Sequence, residues 1–123
     1  MAARQSVGLR NMDKETTEPL RVRCGESHTL PVGTLFFFQY TRHGSVGEDA
    51  TFEFNERGII EFVGEEAEYL HPERIREPGI TGADEERVRW IFRTAGPGEV
   101  IIHVKYLFRG TVEQECSVVI RVE

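Results

Sequence analysis

The 123-residue chain predicts an all-β fold, a sandwich of about seven or eight short antiparallel strands. Three observations carry this. Apolar side chains recur at every second position in several short runs, the mark of a strand with one face on a core. Glycine, proline and asparagine clusters separate those runs at intervals of roughly 8–12 residues. The apolar residues are of the kind that fills sheets: eight Phe together with Val and Ile, while Ala and Leu are scarce.

Pro19 leads into Leu20-Arg21-Val22-Arg23-Cys24, where Leu20, Val22 and Cys24 share one face. Gly25-Glu26 makes a turn, and Ser27 to Val32 is a short strand ending at Pro31, which suits an edge or a strand end. Leu35 to Arg42 is the most aromatic strand. Phe36, Phe38 and Tyr40 point one way, and Leu35, Phe37, Gln39 and Thr41 the other. His43 to Asp49, with two glycines, is an exposed loop. Thr51 to Phe54 follows, with Phe52 and Phe54 inward. Asn55-Glu56-Arg57-Gly58 turns the chain into Ile59 to Val63. Residues 64–77 are acidic and irregular and read as a loop, with Tyr69 and Leu70 pinned to the core. Pro78-Gly79-Ile80-Thr81-Gly82 is a glycine-flanked loop. Val88 to Phe92, the Gly96-Pro97-Gly98 turn, Val100 to Phe108, a polar loop, and Ser117 to Val122 close the domain. Trp90, sharing a face with Val88 and Phe92, suits the buried tryptophan of an immunoglobulin-like sandwich.

Residues 1–18 carry no apolar period and read as a disordered tail, leaving 19–123 as one sandwich domain. The net charge of −6 disfavours nucleic acid as a partner, since phosphate contacts need clustered Lys and Arg. No apolar run approaches the roughly 20 residues of a membrane span. The compartment is cytoplasmic if Met1 is the native start, and secreted or periplasmic if a signal peptide has been removed. Cys24 and Cys116 make no metal motif. They meet as a disulfide if their strands pair antiparallel, and stand at opposite ends as small, partly buried thiols if those strands pair in parallel.

No catalytic signature stands out. His28, His43, His71 and His103 are not at ligand spacing, with His103 on an outward strand face, so no metal or other cofactor is expected. No serine sits in a nucleophile elbow. Gly79-Ile80-Thr81-Gly82 is not followed by Lys-Ser/Thr or a helix, so it is not a phosphate cradle. The acidic runs Glu65-Glu66-Ala67-Glu68 and Asp84-Glu85-Glu86 read as solvated surface rather than a calcium site, with Glu85 and Glu86 free to pair across strands with neighbouring arginines.

From residue 20 to 122, and best after residue 78, the chain resembles the chagasin family of cysteine-protease inhibitors. Val22-Arg23-Cys24-Gly25-Glu26 followed by Thr29-Leu30-Pro31 is similar to that family's opening. Gly79-Ile80-Thr81-Gly82, Trp90-Ile91-Phe92, Ala95-Gly96-Pro97-Gly98 and Val104 to Arg109 follow its second half. The resemblance implies an immunoglobulin-like sandwich that blocks papain-like enzymes with three loops from one end, carrying Asn-Pro-Thr-Thr-Gly, Gly-x-Gly-Gly and Arg-Pro-Trp. Here Pro31-Val32-Gly33-Thr34 stands for the first motif, Gly79-Ile80-Thr81-Gly82 for the second, and Arg109-Gly110-Thr111 keeps only the arginine of the third. The resemblance thus nominates Thr34, Gly79, Thr81, Gly82 and Arg109, on loops 31–34, 79–84 and 109–114. The missing tryptophan removes an aromatic anchor of the kind that dominates interfaces.

Two non-catalytic functions follow. The first is an immunoglobulin-like protein-binding domain of unknown partner, using its loops or the exposed Leu35 and Phe37 face, a homodimer being one form. The second is inhibition of a papain-family protease by loop insertion. An enzyme would need a polar pocket joining histidines and carboxylates.

Overall fold

Alternation at period two builds the core directly. Phe36, Phe38 and Tyr40 face inward from one strand, and Val88, Trp90 and Phe92 from its neighbour. Opposite them stand Val100, Ile102 and Val104, then Val118, Ile120 and Val122; none of the twelve is more than 7% exposed. The computed structural model describes residues 18–70 and 85–123. Among them are β1 (Leu20–Val22), β2 (Ser27–Leu30), β3 (Leu35–His43), β4 (Glu48–Phe54), β5 (Ile60–Tyr69), β6 (Glu85–Thr94), β7 (Gly98–Phe108) and β8 (Thr111–Val122). One 3-10 turn, Gly44–Val46, joins β3 to β4. Residues 1–17, His71 and the loop Gly79–Gly82 lie outside the described residues.

The strands form two four-stranded sheets, β1-β3-β6-β5 and β2-β8-β7-β4. This is the expected all-β sandwich, with one difference. The sheets are mixed: β1 runs parallel to β3 and β2 parallel to β8. The first strand region leaves one sheet and enters the other through a turn at Arg23–Glu26. Gly25 takes φ 83 there, and the Arg23 amide donates to Glu26 Oε1 at 2.9 Å. A strand that changes sheets in this way meets its new neighbour in the same direction.

That parallel register corrects the cysteine reading. Ser27 opposes Val119, and the same offset carried back along the chain opposes Cys24 to Cys116. The Gly25 amide donates to Ser117 O at 2.8 Å, so the pairing continues past the end of β2. The cysteines form a disulfide with Cα atoms 5.5 Å apart. Cys116 lies well inside β8 rather than at its start, so parallel pairing unites the sulfurs instead of separating them.

Two loops of the sequence reading are strands. Residues 64–69 continue β5, paired to β6 from Gly64↔Ile91 to Tyr69↔Glu86. Tyr69 is 50% exposed rather than pinned to the core, and the following Leu70 is half-buried, its amide donating to Glu85 O at 2.8 Å. The acidic side chains hide this strand from a periodicity test, and arginines on β6 hold it: Glu61 pairs with Arg93 and Glu68 with Arg87. Likewise β8 begins at Thr111, so the expected loop 109–114 shrinks to Arg109-Gly110.

Aromatic stacking joins the two inner faces. Phe92 lies 5.3 Å from Phe36, 5.1 Å from Phe52 and 5.7 Å from Phe62 between ring centres. Trp90 lies 5.6 Å from Phe38 and 4.9 Å from Tyr40, and its indole N–H donates to Glu65 Oε1 at 3.1 Å. The outer Leu35 and Phe37 are half-buried, and the Arg89 guanidinium covers the Phe37 ring at 5.1 Å.

Candidate functional site

Strand register decides which loops share an end. Leu35 pairs with Arg93, Ile60 with Thr94 and Val122 with Gly98, so one end holds the starts of β3, β5 and β7. His43 pairs with Glu85, Tyr69 with Glu86 and Glu48 with Phe108, so the other end holds the β3–β4 loop, the close of β5, the opening of β6 and the β7–β8 turn. Thr34 belongs to the first end and Arg109 to the second. The structure therefore does not bring these two nominated residues together. The loop that accompanies Arg109 is His43–Gly47, and the flanks of the segment carrying Gly79, Thr81 and Gly82 stand at the same end.

Thr34 is fully engaged in its own loop. Its hydroxyl donates to the Pro31 carbonyl at 2.7 Å, its amide donates to Thr94 Oγ1 at 2.8 Å, and Thr94 Oγ1 donates to the same Pro31 carbonyl at 2.7 Å. This hydroxyl ladder ties the loop 31–34 to the end of β6. It is a structural brace.

Arg109 is placed by a two-residue hairpin. Phe108 opposes Thr111, and Arg109 and Gly110 take φ 52 and φ 82, the left-handed pair that suits the twist of antiparallel strands. The Arg109 amide donates to Gly47 O at 2.8 Å, which zips the turn to the β3–β4 loop. Gly47 is itself left-handed at φ 85, and a Cβ there would stand 2.9 Å from Arg109 Cγ and 3.3 Å from its amide nitrogen. Only glycine lets the two loops touch. The Arg109 guanidinium rests over the Phe108 ring at 5.1 Å and meets no carboxylate among the described residues.

Beneath these loops a polar network ties the sheets. Tyr40 donates from its hydroxyl to Asp49 Oδ1 at 3.2 Å. Arg42 Nη1 donates to the same oxygen at 3.1 Å and Arg42 Nε to Glu86 Oε1 at 3.1 Å. The His43 amide donates to Glu48 Oε1 at 2.9 Å, and the His43 ring lies 3.7 Å from Glu85. Burial opposes the charge on Arg42, but its hydrogen bonds to Glu86 and Asp49 outweigh burial and keep the guanidinium more firmly protonated than usual. An open groove of about 480 Å³ lies between Arg42, Gly47, Asp49, Glu86, Leu107 and Arg109. The sequence did carry one signal for this network. Arg42 continues the inward parity of Phe36, Phe38 and Tyr40, and a charge at a core-facing position near a strand end calls for partners across the sandwich.

Burial, and then the Asp49 carboxylate, raise the Tyr40 phenol well above its ordinary value, and burial raises Tyr106. Both groups keep their protons in the fold where the unfolded chain has lost them. Their contribution is therefore complete below the ordinary value of 10 and drains as pH rises above it. The urea midpoint should fall between about pH 9 and about pH 11.5, and less steeply in Tyr40→Phe. An equal fall in the variant would remove Tyr40 from the account.

Among the described residues no three His, Cys, Asp or Glu side chains converge as metal ligands. His28 pairs with Glu26 and His103 with Glu115. The end instead offers two rigidly joined loops, an exposed cation and a groove.

Solved structures with this architecture include the cysteine protease inhibitor EhICP2 from Entamoeba histolytica. Its TM-score is 0.68 at 10% identity, over 85% of this chain and 95% of that one. Amebosin superposes with a TM-score of 0.59 at 13% identity, over 87% of this chain and 100% of that one. No family model matches the sequence, and no curated protein sequence does. The likeness is one of fold, and that fold is the one implied by the chagasin-like residues.

Proposed function

We propose that this chain is a non-catalytic protein-binding domain that inhibits papain-family cysteine proteases by seating the Arg109 end of the sandwich in the active-site cleft. One observation carries the reading: the Arg109 turn and the His43–Gly47 loop, which come from different strand connections, are locked together by the Gly47–Arg109 contact and present a guanidinium that meets no carboxylate among the described residues. A loop pair fixed before binding loses little conformational freedom on docking. Inhibition of this kind is steric, with no bond made or broken by the inhibitor. The fold shared with EhICP2 and the chagasin-like residues around Gly79, Trp90 and Arg109 support the same reading. Leu70 and Glu85, the flanks of the segment with Gly79, Thr81 and Gly82, both lie at this end. Thr34 takes no part.

The test is a titration of papain and a cathepsin-type protease against a peptide substrate. Sub-micromolar protein should abolish hydrolysis, Arg109→Ala should weaken inhibition roughly 10- to 30-fold, and Thr34→Ala should change it less than about threefold. Protease rates that stay constant up to micromolar protein retire the proposal.

A further inference from the structure

The two edge strands β4 and β5 flank one open side of the sandwich, and that side is built unlike the others. Phe52, Phe54 and Phe62 fill it from both sheets, with ring centres 5.5 Å apart for Phe52 and Phe54 and 5.2 Å for Phe52 and Phe62. Phe62 remains 45% exposed, and with Val63 and Tyr69 it makes three of the seven large apolar side chains left exposed among the described residues. All three are on β5, a ten-residue strand whose only sheet neighbour among the described residues is β6. Its second edge therefore presents a row of backbone donors and acceptors with no strand beside it among the described residues.

The charged residues on the two edge strands themselves have one sign. There are four carboxylates and no basic residue on β5, and three carboxylates and no basic residue on β4. Glu61, Glu66 and Glu68 fall on the outer face, opposite Arg93, Arg89 and Arg87. Glu61 and Glu68 hold their arginines, whereas Arg89 donates to Gln39 and lies over Phe37, which leaves Glu66 without a partner among the described residues. Charge alone guards an edge against aggregation. Here it accompanies the exposed apolar side chains Phe62, Val63 and Tyr69, which suits selection of a partner rather than exclusion of all partners. A second copy fits poorly, since pairing β5 with β5 would set like charges against each other across the new ladder.

We propose that the free edge of β5 receives an extended segment of a partner protein in which apolar and basic residues alternate, adding a fifth strand to this sheet. The backbone ladder provides the attachment. The apolar side chains of the segment cover Phe52, Phe54 and Phe62, and its lysines or arginines face Glu66 and its neighbours. β5 starts at the Thr34 end, where Ile60 pairs with Thr94, and only its close reaches the Arg109 end, so variants at Glu66 and Arg109 test the two proposals separately.

The probe is a blocked octapeptide alternating valine and lysine, added to the full ¹⁵N-labelled chain, with a valine–glutamate octapeptide as control. Amide shifts should concentrate on Ile60–Tyr69 and weaken with salt. Glu66→Lys should weaken binding about fivefold or more, while Glu113→Lys, the same charge reversal on exposed Glu113 of β8, should change it less than about twofold. Absence of shifts at about millimolar peptide, equal binding of the glutamate peptide, or equal loss in both variants overturns the proposal. So do concentration-dependent shifts on β5 without peptide, which would assign the edge to a second copy.

Discussion

Replacing Cys24 and Cys116 together with alanine lowers the stability of the chain by about 4–5 kcal/mol. The disulfide closes a separation of 92 residues, and a cross-link of that span removes much of the freedom of the unfolded chain. The folded side adds to the effect. β1 has three residues and β2 four, too few to hold a sheet edge by hydrogen bonds alone, and the bond anchors their junction to the middle of β8. For a domain of this size the loss corresponds to roughly 10–20 °C in Tm. The check is thermal unfolding of the double variant beside the oxidised wild type. Melting within about 2 °C of wild type would remove the bond from the account. Reduction of the wild type by dithiothreitol should reproduce the variant.

Phe92→Ala is the second large effect, at about 3–5 kcal/mol, a substantial share of the stability of any single domain. Phe92 is completely buried on β6 and touches Phe36, Phe52, Phe54 and Phe62, so rings from both sheets would face the cavity. Phe62→Ala removes a ring from the same cluster at 45% exposure and should cost less than half as much. Urea unfolding of the pair decides. Equal losses would mean that the cluster is not organised around Phe92.

The fold was legible because its core strands keep strict alternation. Phe36, Phe38, Tyr40, Val88, Trp90 and Phe92 announce two neighbouring faces without help from tertiary structure. β5 beyond Gly64 was not legible, since Glu65, Glu66 and Glu68 carry no apolar period. Its strand character comes from arginines on β6 that only register places opposite. The cysteine pair failed for a related reason. Local sequence gives the existence of β2 and β8 but not the fact that the chain has changed sheets between β1 and β2, and the parallel offset follows from that change. For the candidate site, the motifs nominated Arg109 and Thr34 together but gave no sign that register sets them at opposite ends, because a loop's position depends on the direction of the strands it joins. Gly47 was visible as a loop glycine, and its contact with Arg109 was not.

The claim that the Arg109 end meets a papain-like protease is tested most directly by amide hydrogen exchange of the chain alone and with papain whose active-site cysteine is blocked. The account predicts new protection at residues 43–47 and 108–111, with residues 31–34 exchanging as before. Protection at 31–34 without protection at the Arg109 turn, or no change anywhere at saturating papain, would contradict it.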